Sequence, residues 1–132
     1  NLACNPAVSA SDALDYGHRA YDLMQQAHAF ESRVADTYGW SLVQTNDSRN
    51  IDMGINVLLD AWKADEIPDT AYHLGKAYLA KGNAIEAQKY LDKAMDLYSE
   101  ALKNDQVFDN TLQQSILDAQ SQLKKLKGNR GS

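Results

Sequence analysis

One cysteine, two prolines and three histidines in 132 residues exclude a good deal. With Cys4 alone, the chain can form no internal disulfide and no zinc site built on several thiolates. No apolar run approaches the roughly 18 residues that span a bilayer. Positive charge is also scarce. Thirteen Lys and Arg stand against eighteen Asp and Glu, a net charge of −5, and nucleic-acid binders need a basic face. The one basic cluster, Lys124, Lys125 and Lys127, reads as a helix C-terminus complementing its own dipole.

Catalytic patterns are missing as well. His18, His28 and His73 lie far apart, and no H-E-x-x-H, C-x-x-C or G-x-x-x-x-G-K-[ST] occurs. No Ser or Thr has a neighbouring His or Lys that would activate it. "NDSRNID" (46–52) is rich in oxygen ligands but lacks the spacing and the final Glu of a calcium loop. It reads instead as a long turn in which Asp47 or Asn50 caps the next helix. The expectation is no enzyme, no cofactor and no metal.

What is present is helix-forming sequence with an internal repeat. "ADTYGWSLVQTN" (35–46) aligns with "AYHLGKAYLAKG" (71–82), setting Gly39 on Gly75, Tyr38 on Leu74 and Leu42 on Tyr78. Downstream, Gly54, Leu58 and Ala61 match Ala87, Leu91 and Ala94. Gly39 and Gly75 are 36 residues apart, near the roughly 34-residue period of a helix-turn-helix repeat. The turn around "QTNDSRNID" is expected to hold about three extra residues. A fainter copy, "ALDYGHRAYDL" (13–23), carries Ala13, Gly17 and Ala20 and reads as the second helix of an earlier repeat. Small residues at Gly75, Gly82, Ala87 and Ala94 beside bulky Leu74, Tyr78, Tyr90 and Leu91 suit two helices pressed closely together. Pro68 and Asp69 open one helix, Gly82 closes it in the left-handed region, and Asn83 starts the next.

This pattern resembles the tetratricopeptide repeat, W-x-x-L-G-x-x-Y, then Gly, A-x-x-x-F, Ala and Pro. Leu74, Gly75, Tyr78, Gly82, Ala87, Leu91 and Ala94 carry the match; Ala71, Leu91 and Ser99 depart from its Trp, Phe and Pro. The resemblance covers roughly residues 1–98 and implies an all-α fold: helix-turn-helix repeats stacked as a right-handed superhelix, with a capping helix at the C-terminus. Residues 1–104 would form about two and a half repeats, the first truncated, and 105–127 the capping helix. Leu112, Ile116, Ala119, Leu123 and Leu126 mark its apolar face, and 128–132, "GNRGS", reads as a linker or cloning scar. With no initiator Met or signal peptide, the chain looks processed or excised. "NLA" reads as the stump of a cut repeat, better than as a lipoprotein site at Cys4, because no apolar segment precedes it.

The resemblance also implies a function. First helices would line a concave groove, turning inward Arg33, Asp36, Trp40, Val43 and Gln44, and then Asp69, Tyr72, Lys76, Leu79 and Ala80. Trp40 is the strongest anchor for a peptide, unless it packs between repeats. One groove type in the family holds a terminal carboxylate with Lys, Asn and Arg; Asp36, Trp40 and His73 at those positions speak against it. His73 and Trp62 read as packing residues, as do Tyr16, Tyr21, Tyr90 and Tyr98, and His18 as solvent-facing or at an inter-repeat contact. The expected function is a protein-interaction scaffold for a protein or peptide partner, with no nucleic acid and no membrane insertion. The texture is similar to the last repeats of large bacterial proteins linked to exopolysaccharide export and exosortase-type sorting, in the periplasm, envelope or cytoplasm. Two other readings stand beside it. One is a structural cap that forms homo-oligomers through the truncated N-terminal end. The other is an arm that binds polysaccharide, stacking sugars on Trp40 and Tyr72.

Overall fold

The computed structural model describes residues 10–104 and 110–131. Cys4, the "NLA" stump and residues 105–109, the expected start of the capping helix, lie outside them. Six helices follow one another, with no strand among the described residues. They are α1 (Ala10–Gln26), α2 (Ser32–Val43), α3 (Ser48–Ala64), α4 (Pro68–Ala80), α5 (Ala84–Lys103) and α6 (Thr111–Gly131). The chain divides into two compact units, Asn1–Asp65 and Glu66–Ser132.

In the N-terminal unit, α2 and α3 form an antiparallel hairpin and α1 packs on α2. The hairpin closes around two glycines. A Cβ on Gly39 would stand 2.7 Å from Leu58 Cγ, and one on Gly54 would stand 2.7 Å from the Gly39 carbonyl oxygen. The two helices therefore meet backbone to backbone, a distance only glycine permits. Val43 Cγ2 lies 3.0 Å from the same Gly54 position, so Val43 is core and not part of an open groove. At the end of α1, His28 is left-handed (φ 52°). The Ala29 amide donates to Met24 O (3.3 Å) and the His28 amide to Gln25 O (3.2 Å), the paired closure of a Schellman turn. The Glu31 amide donates to Met24 Sδ at 3.0 Å and tethers the start of α2 to α1.

The three extra residues of this repeat do not lengthen its turn as expected. Ser48, the first residue of α3, stands six before Gly54, whereas Ala84, the first of α5, stands three before Ala87. The insertion has become an additional helical turn. Asp47 makes it possible by accepting from the amides of Arg49 (3.0 Å) and Asn50 (3.1 Å), the donors a helix start leaves unpaired. Asn46, left-handed at φ 59°, reverses the chain just before it.

In the C-terminal unit, α4 and α5 form the second hairpin, and α6 packs on both. A Cβ on Gly75 would lie 2.5 Å from Leu91 Cδ2. Gly75 thus meets Leu91 as Gly39 meets Leu58, the pairing that the alignment of the two segments implies. Ala84, Ala87, Leu91, Ala119 and Leu123 make the core of the unit, with Tyr72, Tyr78, Leu79 and Leu126 packed against it. Leu74 and Ala94 are fully buried, and so is Ala61 in the other unit. Pro68 is the first residue of α4, and Asn83 caps α5 by accepting from the Glu86 amide at 3.2 Å. Gly82 adopts φ 73°, with the Asn83 amide on Tyr78 O (2.9 Å) and its own amide on Leu79 O (3.0 Å). No atom lies within 4 Å of a Cβ built there, so Gly82→Ala tests backbone conformation alone. We expect a loss of about 1–2 kcal/mol in urea denaturation, the cost of a left-handed non-glycine residue, at unchanged m value.

At the C-terminus α6 does not stop at Gly128 but runs to Gly131. Gly82 is the one described glycine with positive φ, so Gly128 stays helical at a cost of about 1 kcal/mol relative to alanine.

Candidate functional site

α2 distributes its candidate residues over one stripe and its C-terminal end. Arg33, Asp36 and Trp40 follow one another at three and four residues, with Arg33 exposed and Asp36 and Trp40 half-buried. Gln44 is exposed at the helix C-cap, its amide bonded to Trp40 O. The spacing that suits a helical contact stripe is therefore realised by Arg33, Asp36 and Trp40.

α4 is different, because α6 lies along its stripe. Lys76 Nζ donates to Gln122 Oε1 at 2.9 Å across 46 residues of sequence. The Tyr72 hydroxyl bonds with the Ser115 side chain, and burial raises its pKa above the ordinary tyrosine value. Leu79 packs with Tyr72 on the core that α6 completes. Asp69 is exposed in the first turn, where its charge complements the helix dipole, and Ala80 is exposed at the last. Tyr72, Lys76 and Leu79 thus form the α4–α6 seam. The sequence alone turns them towards an open groove, since periodicity gives the face and not its neighbour.

Several packing residues fall as expected. Trp62, Tyr90 and Tyr98 are buried, and Tyr78 lies parallel to Tyr90 with ring centres 5.8 Å apart. Burial, then the neighbouring Tyr90, raises the Tyr78 pKa. His73 is half-buried against Tyr72. His18 is exposed, 3.5 Å from Asp22, with its ring against Tyr38. Tyr16 is the exception. Expected as filler, it is 48% exposed, as are Leu23 (65%) and Phe30 (45%).

Among the grooves of the N-terminal unit, two adjoin α2. One, of about 440 Å³, carries Asp12, Asp15 and His18 on its wall. Asp15 pairs with Arg19 at 3.1 Å along the same helix, and no group of three metal-ligating side chains occurs among the described residues. The other, of about 320 Å³, runs between α1 and α2 and is lined by Tyr16, Gly17, Ala20, Arg33, Val34 and Thr37. Sequence reading missed it as a site, although the run Ala13, Tyr16, Ala20, Leu23 at spacings of three and four carried the signal.

The described residues define an all-α protein of paired helical hairpins, with no helix among them long and apolar enough to cross a membrane. Comparison with family models, curated proteins and solved structures finds no match.

Proposed function

We propose that this chain is a non-enzymatic protein-interaction module, the C-terminal end of a tetratricopeptide-type array stacked as a right-handed superhelix. The observation that carries the reading is the repeated lock between a first-helix glycine and a second-helix leucine, Gly39 with Leu58 and Gly75 with Leu91. Equal locks in successive hairpins favour a common stacking rule, and stacked hairpins align their first helices on one concave surface. Arg33, Asp36, Trp40 and Gln44 on α2 then offer an aromatic anchor flanked by both charges, suited to an extended peptide. In the second hairpin Asp69 is the exposed candidate on α4, while Tyr72, Lys76 and Leu79 face α6. The texture of "ADTYGW" and "PDTAYHLGKAYLAKG" extends the proposal to a bacterial export or surface-sorting setting.

The test is selection of a random peptide library on the immobilised chain, followed by affinity measurement on variants. Selected peptides are expected to lose about 30-fold on Trp40→Ala, the loss of a hot-spot contact of about 2 kcal/mol. They should bind Ile85→Ala, altered at an 81% exposed α5 position, as they bind the parent. No enrichment, or equal binding to Trp40→Ala with an unchanged circular dichroism spectrum, would overturn the reading.

A further inference from the structure

Charge is segregated along this chain. Residues 119–132 carry Lys124, Lys125, Lys127 and Arg130 and no acidic residue. The 118 residues before them carry nine basic and eighteen acidic ones. Complementing a helix dipole accounts for only part of the cluster. α6 runs to Gly131, so Lys124 stands seven residues, about two turns, before its end. The dipole acts within the last turn and does not reach that far.

Lys124 instead belongs to a cleft of about 250 Å³ between α5 and α6, lined by Gln88, Gln120, Leu123, Lys124 and Lys127. Its four α6 residues share one helical face. Leu123, 2% exposed, forms the floor. Half-buried Gln88 and Gln120 and exposed Lys124 and Lys127 form the rim. Lys127 Nζ donates to Gln88 Oε1 at 2.6 Å, a neutral acceptor. Gln88 Nε2 donates in turn to Asp92 Oδ1 at 2.8 Å, and Asp92 does not line the cleft. Lys124 and Gln120 make no hydrogen bond or ion pair among the described residues.

This cleft is not an empty seat for a helix. The buried α6 residues Ile116, Ala119 and Leu123 repeat the spacing of Ala35, Tyr38 and Leu42 on α2. In that register Gln120 and Lys124 stand where α2 has Gly39 and Val43, which touch α3. An amide and an ammonium replace a hydrogen and an isopropyl group. A packed apolar helix would therefore bury a charge without a partner.

We propose that the α5–α6 cleft binds glutamate side chains of an acidic peptide segment. The methylenes of such a side chain lie on Leu123, and its carboxylate meets the Lys124 and Lys127 ammonium groups and the Gln120 amide. The acidic remainder of the chain repels the same segment, which confines it to this end.

The probe is fluorescein-labelled hexaglutamate, its anisotropy read against the full chain at low salt. Saturable binding is expected, and it should weaken as salt is raised, because exposed charges are screened. Lys124→Glu and Lys127→Glu should each weaken it about 10-fold, losing one attraction and adding one repulsion. Lys125→Glu changes the net charge equally but lies outside the cleft, and should weaken it by less than about 3-fold. Gln120→Leu should weaken it at unchanged charge. Trp40→Ala should leave it unchanged, so this proposal and the concave-surface reading fail separately. All three lysines are exposed, and circular dichroism checks that each variant folds. A variant that does not fold is replaced by Lys124→Gln or Lys127→Gln. Absence of saturable binding overturns the proposal. So does equal loss on Lys124→Glu, Lys125→Glu and Lys127→Glu, since net charge and not the cleft would then attract the probe. Tighter binding of labelled oligogalacturonate than of hexaglutamate overturns a peptide as the occupant.

Discussion

Gly54→Ala is expected to be the most damaging single-methyl substitution in the chain. The added carbon would stand 2.7 Å from the Gly39 carbonyl oxygen, and a main-chain atom in a packed hairpin cannot rotate aside. The helices must separate, at about 2–3 kcal/mol for overpacking a core, less up to about 1 kcal/mol of helix propensity regained. Gly75→Ala makes a nominally shorter contact, 2.5 Å, but to Leu91 Cδ2, a side-chain atom that can move. It should cost less. Urea titrations give both values. Trp40 and Trp62, the only tryptophans, lie in the N-terminal unit and report on it by fluorescence, while far-ultraviolet circular dichroism reports on both. If Gly75→Ala proves the costlier, the ranking of backbone over side-chain obstruction is wrong.

Leu91→Ala should cost about 2–5 kcal/mol, the range for emptying a fully buried leucine site. Leu91 joins α4 to α5 and α6 in one core, so its loss is felt by all three helices. The coupling matters more than the size. In the Leu91→Ala background the obstruction above Gly75 is gone, so Gly75→Ala should become neutral or stabilise by up to about 1 kcal/mol through helix propensity. Leu58→Ala should not rescue Gly54→Ala, because a carbonyl, not Leu58, stands in the way. Additive energies for Gly75 and Leu91 would mean that the two do not share the contact.

What sequence revealed here was local. Pro68, Gly82 and Asn83 act within a few residues of themselves, and each does in the structure what its chemistry implies. The close approach of α4 and α5 at Gly75 was also legible, because helices of one hairpin keep a fixed register; that Leu91 stands directly over Gly75 was not. The turn after α2 was misjudged: Asp47 capping captured three residues into α3, and nothing in composition separates a long loop from an early helix start. The α4–α6 seam was misjudged for a different reason. Tyr72 and Lys76 carry the right period, but what covers them, Ser115 and Gln122, is more than forty residues away. The α1–α2 groove needed the structure, because Gly17 and Ala20 look alike as packing residues until one sees which faces a helix and which faces space.

Within each unit every helix packs on a neighbour in the chain, and α4 and α6 also pack on each other. Loops to be closed during folding are therefore short, and few distant segments need to find each other. Helical proteins with such local contacts fold in microseconds to milliseconds. On a ribosome adding about 5–20 residues each second, the α2–α3 hairpin has ample time to form before α6 is made. The N-terminal unit, Asn1–Asp65, is thus able to fold on its own contacts while the last helix of the C-terminal unit is still unmade.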